Sequence, residues 1–574
     1  MEPYEKYKSG SKPTQKTNRM WSLYGAGLEN LGKENQTITV PMPTYGPDEL
    51  LVRHDACGLC FSDIKIIRLG PDHPRIYRDM SQEPVVMGHE VSMTVVGVGE
   101  NLKDQYKQGD TFILQADIFV DGVGYAYGYE IQGGLSEYNI LDQRVLNGDD
   151  GNYLIPIKAT TGYAESALVE PWACVIAAYY LQYRTALKSG GTAWFVGSEN
   201  ERGFSISSGF DTDNHPAKIV LTNMTGPLGK WLRAQAKSLD IEIEEMPKIP
   251  NNSSQDAAPF EADDIILLDP SPELVERTCP FLAYHGILAL ASDQKLSRPV
   301  ELDVGRVHYN RWVVIGGENT DIAKLYQRNP VRSSLQPKGR AFFVGAGGPM
   351  GRMHVQHAIE VADGPALIVC SDVSDVRLND LCTSYADEAK EKGIQFVCVN
   401  PMNTEAYQTA MAPFQEDGFD DVIVLAPIPA VIADAAGWLA ERGVMNIFAG
   451  VARGTTAKID LNDTIFRDTR VIGHSASSIE NMITMLNEVE SGNLSTNRSV
   501  AAIGSLEAAK DGLRALQDAV YPGKVVIFPN IRPLALTALK DLEKTLPEVF
   551  EKLKNGRIWT KEAERALINA LGKD

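Results

Sequence analysis

Three short clusters carry the residue types that hold and use a metal ion: Cys60-x-Ser62-Asp63, Gly88-His89-Glu90 and Glu170-Pro171. Together they offer a thiolate, an imidazole and two carboxylates. A structural zinc site is usually closed by four Cys or His ligands, whereas a catalytic site keeps one position open and often includes a carboxylate. Cys60, His89, Glu90 and Glu170 are therefore the candidate metal ligands. A lone Cys or His would read as a core residue, but three clusters in this order, each with its neighbours, are hard to produce by chance.

Such distant residues meet only if the intervening chain folds to bring them together. The first 150 residues read as short strands and turns. Strands are expected over 49–53 and 91–98, at Thr111–Leu114 after Gly109-Asp110, and over 135–138 after Gly133-Gly134. The stretch 172–187 is apolar and helix-like. From about Gly190 apolar strands alternate with amphipathic helices, the pattern of βαβ units and a parallel sheet. After 500, a helix over 506–517 and the strand Lys524–Phe528 look like a return to the β-rich part. Residues 535–574 read as two charged amphipathic helices forming a docking appendage.

The α/β region contains an internal repeat. Asp264-Ile-Ile-Leu-Leu-Asp-Pro-Ser-Pro272 matches Asp421-Val-Ile-Val-Leu-Ala-Pro-Ile-Pro429 at an offset of 157 residues (264 to 421). The offset holds from Gly286 to Gly443 and from Val314-Ile315-Gly316 to Val471-Ile472-Gly473. Phe195-Val196-Gly197 matches Phe343-Val344-Gly345 at 148 (195 to 343). The reading is an α/β chain with a β-rich domain at 1–187 and two tandem Rossmann-like, doubly wound parallel sheets at 188–330 and 338–490. A return to the β-rich domain follows at 491–534, and then the extension at 535–574.

The two copies differ in chemistry. The second opens with a strand and the loop Gly345-Ala-Gly347-Gly348-Pro-Met350-Gly351, whose glycines let the backbone approach a pyrophosphate at a helix N-terminus. Asp372 ends the next strand, placed to accept from an adenosine ribose and to repel a 2′-phosphate, which favours NAD over NADP. Arg377 and Gly450, the latter in a stretch open to a nicotinamide, complete the expected cofactor set. The first copy has Gly197-Ser-Glu-Asn-Glu-Arg-Gly203 instead, putting two carboxylates where a pyrophosphate would sit, and Asn223 in place of the acid. It is expected to have lost dinucleotide binding.

A net charge of −20 disfavours nucleic acid and anionic membrane surfaces as partners. Seven scattered cysteines argue for a reducing compartment and against a disulfide framework. The N-terminus lacks a secretory h-region, and no run of about 18 apolar residues is present, so a cytoplasmic location is expected.

The metal clusters on a β-rich domain, followed by the Gly345–Gly351 loop, resemble the medium-chain dehydrogenase/reductase superfamily. Its polyol branch, in particular the L-sorbose-1-phosphate reductase group, is resembled at 418–431, at Asn446-Ile-Phe-Ala-Gly450 and at Tyr127-Gly-Tyr-Glu-Ile-Gln-Gly-Gly134. The resemblance implies a GroES-like catalytic domain and one catalytic zinc. Cys60 and His89 would ligate it, with Glu90 a ligand or exchangeable near-ligand and Glu170 bound directly or through water. Asp63 would orient a ligand, Ser62 would relay the substrate proton, and Lys65 stands where relatives put a relay His. No structural zinc is expected, because 91–130 contains no cysteine cluster. The implied activity is hydride transfer between NAD(H) and a polyol, sugar or sugar phosphate. Two other functions fit the same residues: an NAD-retaining epimerase or lyase, and a non-catalytic scaffold. Members often dimerise through their sixth Rossmann strands. A tandem copy would make that pairing within one chain, and a homodimer stays open as an alternative.

Overall fold

The computed structural model describes residues 2–197, 202–250, 260–327 and 331–573. The expected carboxylates of the first copy's loop, Glu199 and Glu201, lie outside the described residues. The chain folds into two compact units, one of residues up to Ile176 with those from Ser477 on, the other Ala177–Ala476.

The first unit is built on an eight-stranded sheet whose hub is Leu50–Gly58. This strand pairs antiparallel with Glu90–Val98, with Tyr138–Leu141 and with Lys524–Phe528. All nine of its residues are buried, polar ones included. Burying them is tolerable because they are partnered: Arg53 pairs with Asp55 at 2.7 Å, and His54 Nε2 lies 2.6 Å from the Tyr127 hydroxyl. The strand expected at 135–138 forms instead at Tyr138–Leu141. The residues before it are committed elsewhere, Leu135 N–H donating to Met87 O at 2.9 Å.

The C-terminal segment, expected as two charged amphipathic helices, is built differently. It contributes a short edge strand, Thr537–Ala538, two single-turn helices, and the helix Lys561–Leu571. Trp559 packs 5.9 Å from Phe528. Glu564, 1% exposed, accepts the backbone N–H groups of Tyr163 and Ala164 at 2.6 and 2.8 Å, capping the helix Tyr163–Ala167. The helix expected over 172–187 is Val169–Ala177. Beyond it Tyr179 turns inward to His354 Nδ1 at 2.6 Å, and Arg184 is drawn to Asp264 at 2.9 Å.

The second unit is organised around a twelve-stranded sheet. Its strands fall into two sets of six. Counted in chain order within each set, the sheet runs 3-2-1-4-5-6 and then 6-5-4-1-2-3, each half having the Rossmann order. The sixth strands, Val313–Gly317 and Arg470–Gly473, meet antiparallel with Val314 opposite Val471. A second ladder joins Val300–Asp303 to Thr456–Ile459. One apolar core runs through both sets, from Trp194 and Trp312 to Phe342, Phe419 and Met445. Cys382 and Cys398 are joined by a disulfide, a single pair that the expectation of no disulfide framework does not anticipate. The helix Asp375–Glu391 packs over the strand that follows it, and so brings two cysteines sixteen residues apart into contact.

Burial raises the Glu564 pKa from 4.5 to about 7, despite the two N–H groups it accepts. The folded value lies above the unfolded one, so this group's contribution to stability is complete below pH 4.5 and is lost as pH rises through about 7. The expected outcome is that Glu564→Gln flattens this part of the stability–pH curve in denaturant titrations between pH 5 and 8.5. An unchanged curve would show that Glu564 keeps the same pKa in the folded protein as in the unfolded chain.

Candidate functional site

The candidate metal ligands arise where the two central strands of the first unit end. Glu90 opens its strand directly across from Gly58, the last residue of the hub. Cys60 follows at once as the N-cap of the helix Phe61–Leu69, and His89 immediately precedes Glu90. Cys60, His89 and Glu90 each offer a ligand atom, and these atoms lie within 4.8 Å of one another. Glu170, in the first turn of Val169–Ala177, does not belong to this group of three. It is near enough to feel it. Burial raises its pKa to about 7, with His89 working against the rise and Glu90 adding to it.

Asp63, fully buried, ties the pieces together. One of its oxygens accepts from Cys60 N at 3.0 Å, and the other from Gly88 N at 3.3 Å, while lying 3.6 Å from His89 Nδ1. Burial disfavours a charged His89, but Cys60 and Asp63 outweigh it and raise its pKa well above the ordinary value. The Cys60 thiol reaches Ser62 Oγ at 3.6 Å. The Tyr127–Gly134 segment braces the same loop through Gly134 N to Gly88 O at 2.7 Å.

Sequence reasoning missed Lys524. It opens a strand that otherwise reads as apolar, and its Nζ forms a buried ion pair with Glu90 Oε1 and donates to Leu59 O at 3.3 Å. Burial works against this ammonium, but Glu90 and Cys60 hold its pKa above the ordinary lysine value. The other carboxylate oxygen, Glu90 Oε2, is buried without a hydrogen-bond partner among the described residues. It lies against Gly58, where a Cβ would come within 2.1 Å of it, so the glycine keeps room for the carboxylate. A thiol, an imidazole and an unpartnered carboxylate oxygen fit a borderline-soft dication such as zinc.

The second unit carries the dinucleotide candidates. Gly345 has φ +85° and donates to Ser371 O at 2.8 Å, turning the chain away from the strand Arg340–Val344. Gly348 is the N-cap of Pro349–Glu360, and the space where its Cβ would stand is open. Met350 lies half-buried in that helix's first turn, and Gly351 packs against Ala346. Asp372 accepts from Gly347 N and Ser374 N, both at 3.0 Å, linking the loop to the next strand's end. A Cβ on Gly347 would strike Arg377 Cβ at 2.7 Å, so Arg377 also borders the loop. Gly450 is half-buried just beyond the strand Leu439–Ile447. Val373, Met402 and Ile428 stand exposed just past the carboxyl ends of the strands Leu367–Ser371, Gln395–Val399 and Phe419–Val424. In the first set, Arg202 pairs with Asp269 at 3.1 Å and Asp293 at 2.8 Å, both just past strand ends.

Residues 46–147, which include Cys60, His89 and Glu90, match the alcohol dehydrogenase GroES-like domain. Mannitol-1-phosphate 5-dehydrogenase of Aliivibrio fischeri is 24% identical over 548 residues, 93% of this chain and 95% of that protein. L-sorbose 1-phosphate reductase of Klebsiella pneumoniae is 23% identical over 316 residues, 51% of this chain and 76% of that one. The crystal structure of 2R,3R-butanediol dehydrogenase from Bacillus subtilis aligns with 89% of this chain and all of that one, at a TM-score of 0.49 and 17% identity. The GroES-like unit and the Rossmann-ordered sheet define an α/β oxidoreductase architecture. The chain belongs to the medium-chain dehydrogenase/reductase superfamily of enzymes.

Removing the partner of a buried charge costs roughly 3–5 kcal/mol. Lys524→Met, unfolded in denaturant without added metal, should lose stability on that scale, whereas Lys524→Arg should lose less. Equal stability of Lys524→Met and the parent would show that the pair is not formed away from water.

Proposed function

We propose that this enzyme is a zinc-dependent oxidoreductase that transfers hydride between NAD(H) and a secondary alcohol or ketone of a polyol, sugar or sugar phosphate. The observation that carries the reading is the convergence of Cys60, His89 and Glu90, with Glu90 Oε2 buried and unpartnered. Bound there, zinc would supply Lewis acidity toward an alcohol oxygen, and a bound nicotinamide would supply the hydride acceptor.

The chain's own residues would do the rest. Cys60 as thiolate and His89 as neutral imidazole hold the ion. Glu90 ligates it or stands beside it, and its Lys524 partner offsets one of the two negative charges. Glu170 lies outside the group of three, which suits a ligand reached through water. Asp63 fixes the His89 ring and the Cys60 backbone together. The Ser62 hydroxyl exchanges a proton with the substrate oxygen, and Lys65, one helical turn on, passes it toward solvent. In the second unit Gly345, Gly347, Gly348, Met350 and Gly351 would cradle the pyrophosphate at the helix N-terminus. Asp372 and Arg377 would meet the adenosine ribose, and Gly450 the nicotinamide. The preference is for NAD, because an acid at Asp372 repels a 2′-phosphate. The acid-bridged Arg202 supports a first copy without dinucleotide.

Cys60→Ala should lose zinc by metal analysis and lose turnover, yet still bind one NADH per chain by fluorescence titration. Full turnover of Cys60→Ala with one zinc per chain would refute the ligand assignment. Two NADH sites per chain would refute the reading of the first copy.

A further inference from the structure

Beside the metal-ligand cluster stands a second group of side chains that the chemistry above leaves unused. Tyr129, 8% exposed, is flanked by two imidazoles, its ring centroid 6.2 Å from that of His89 and 5.4 Å from that of His73. The Arg75 guanidinium lies over the same ring, 4.9 Å from its centroid. Burial lowers the His73 pKa to about 4, assisted by the charges of Arg75 and Lys65, so His73 is neutral at pH 7. Its Nδ1 accepts the Arg75 backbone N–H at 3.2 Å, which puts the ring proton on Nε2 and leaves that nitrogen a donor. The Arg75 guanidinium thus stands one tyrosine ring away from His89.

The guanidinium is oriented without being committed. Arg75 Nη2 meets Asp117 Oδ1 at 2.6 Å, with each side chain about one-third exposed (32% and 33%). An exposed pair of this kind is worth only about 0–1 kcal/mol. A phosphate dianion offers the fork of an arginine a bidentate, charge-assisted partner that a neutral hydroxyl cannot match.

We infer that Arg75 and His73 form a subsite for the phosphate monoester of a polyol or sugar phosphate, with Asp117 holding the guanidinium in place until the substrate arrives. The inference rests on the reading that the neighbouring cluster acts on a polyol-type alcohol. It goes further in selecting the phosphorylated members of that class.

The test compares kcat/KM of the zinc-loaded enzyme for a hexitol 1-phosphate, the unphosphorylated hexitol and the matching aldonate. The phosphate ester should be preferred. Arg75→Gln should cut the phosphate-to-hexitol preference roughly ten- to hundredfold, mainly through KM, as expected for losing a charge-assisted hydrogen bond. Preference for the hexitol or the aldonate, or an equal loss on hexitol and hexitol phosphate, would overturn the subsite. If none of the three probes turns over, the alcohol-oxidation reading fails on its own, and binding of inorganic phosphate still decides the subsite. The parent should bind phosphate at least tenfold more tightly than Arg75→Gln. Should that variant not fold, Asp117→Asn, which keeps and frees the guanidinium, must raise phosphate affinity, and an unchanged or lower affinity overturns the inference.

Discussion

Glu90 is a carboxylate without access to water, and the candidate centre depends on how its charge is met. An unpaired buried charge is costly enough that a fold either partners it or excludes it. Here the partner is Lys524, which lies 434 residues further along the chain. The ammonium satisfies one oxygen and leaves the other unpartnered beside Cys60 and His89. The ion pair thus makes the first unit depend on its own return segment. The chain leaves at Ile176, builds the whole second unit, and comes back to lay Lys524–Phe528 along the hub strand. Glu564 extends the same dependence to the last helix, since it caps the short helix that precedes Glu170.

The second unit solves a different problem. A Rossmann sheet that ends at its sixth strand has an open edge, and open edges invite pairing with other chains. The second set meets this with the first set, strand against strand, with an added ladder and a shared core. One glycine loop keeps its open helix N-terminus. At the strand ends of the other set stands an arginine held between two aspartates. The two sets thus differ at their strand ends while meeting edge to edge through their sixth strands.

Much of this was legible in the sequence, because it depends on local patterns. Strand–helix alternation gave the doubly wound sheet, and the constant offset between Asp264 and Asp421 marked two sets whose sixth strands correspond. Cys60, His89 and Glu90 were legible because each sits at a strand or helix terminus with recognisable neighbours. Lys524 was not, since a lysine at the start of an apolar strand looks like a solvent-facing end until its partner is known. Arg75, His73 and Tyr129 were illegible for the same reason: their meaning lies in the contacts of one loop with another. The 172–187 stretch misled because apolar residues were read as helix, when Tyr179 and Arg184 are drawn from helical geometry by long-range partners. The disulfide was missed because counting thiols says nothing of which helix packs on which strand.

The central proposal, that Cys60, His89 and Glu90 form an open catalytic zinc site, is tested most directly by zinc K-edge X-ray absorption on the zinc-loaded enzyme. One sulfur is expected at about 2.3 Å, with the remaining ligands nitrogen or oxygen at about 2.0–2.2 Å. A shell containing two or more sulfurs, or none, would contradict the proposal.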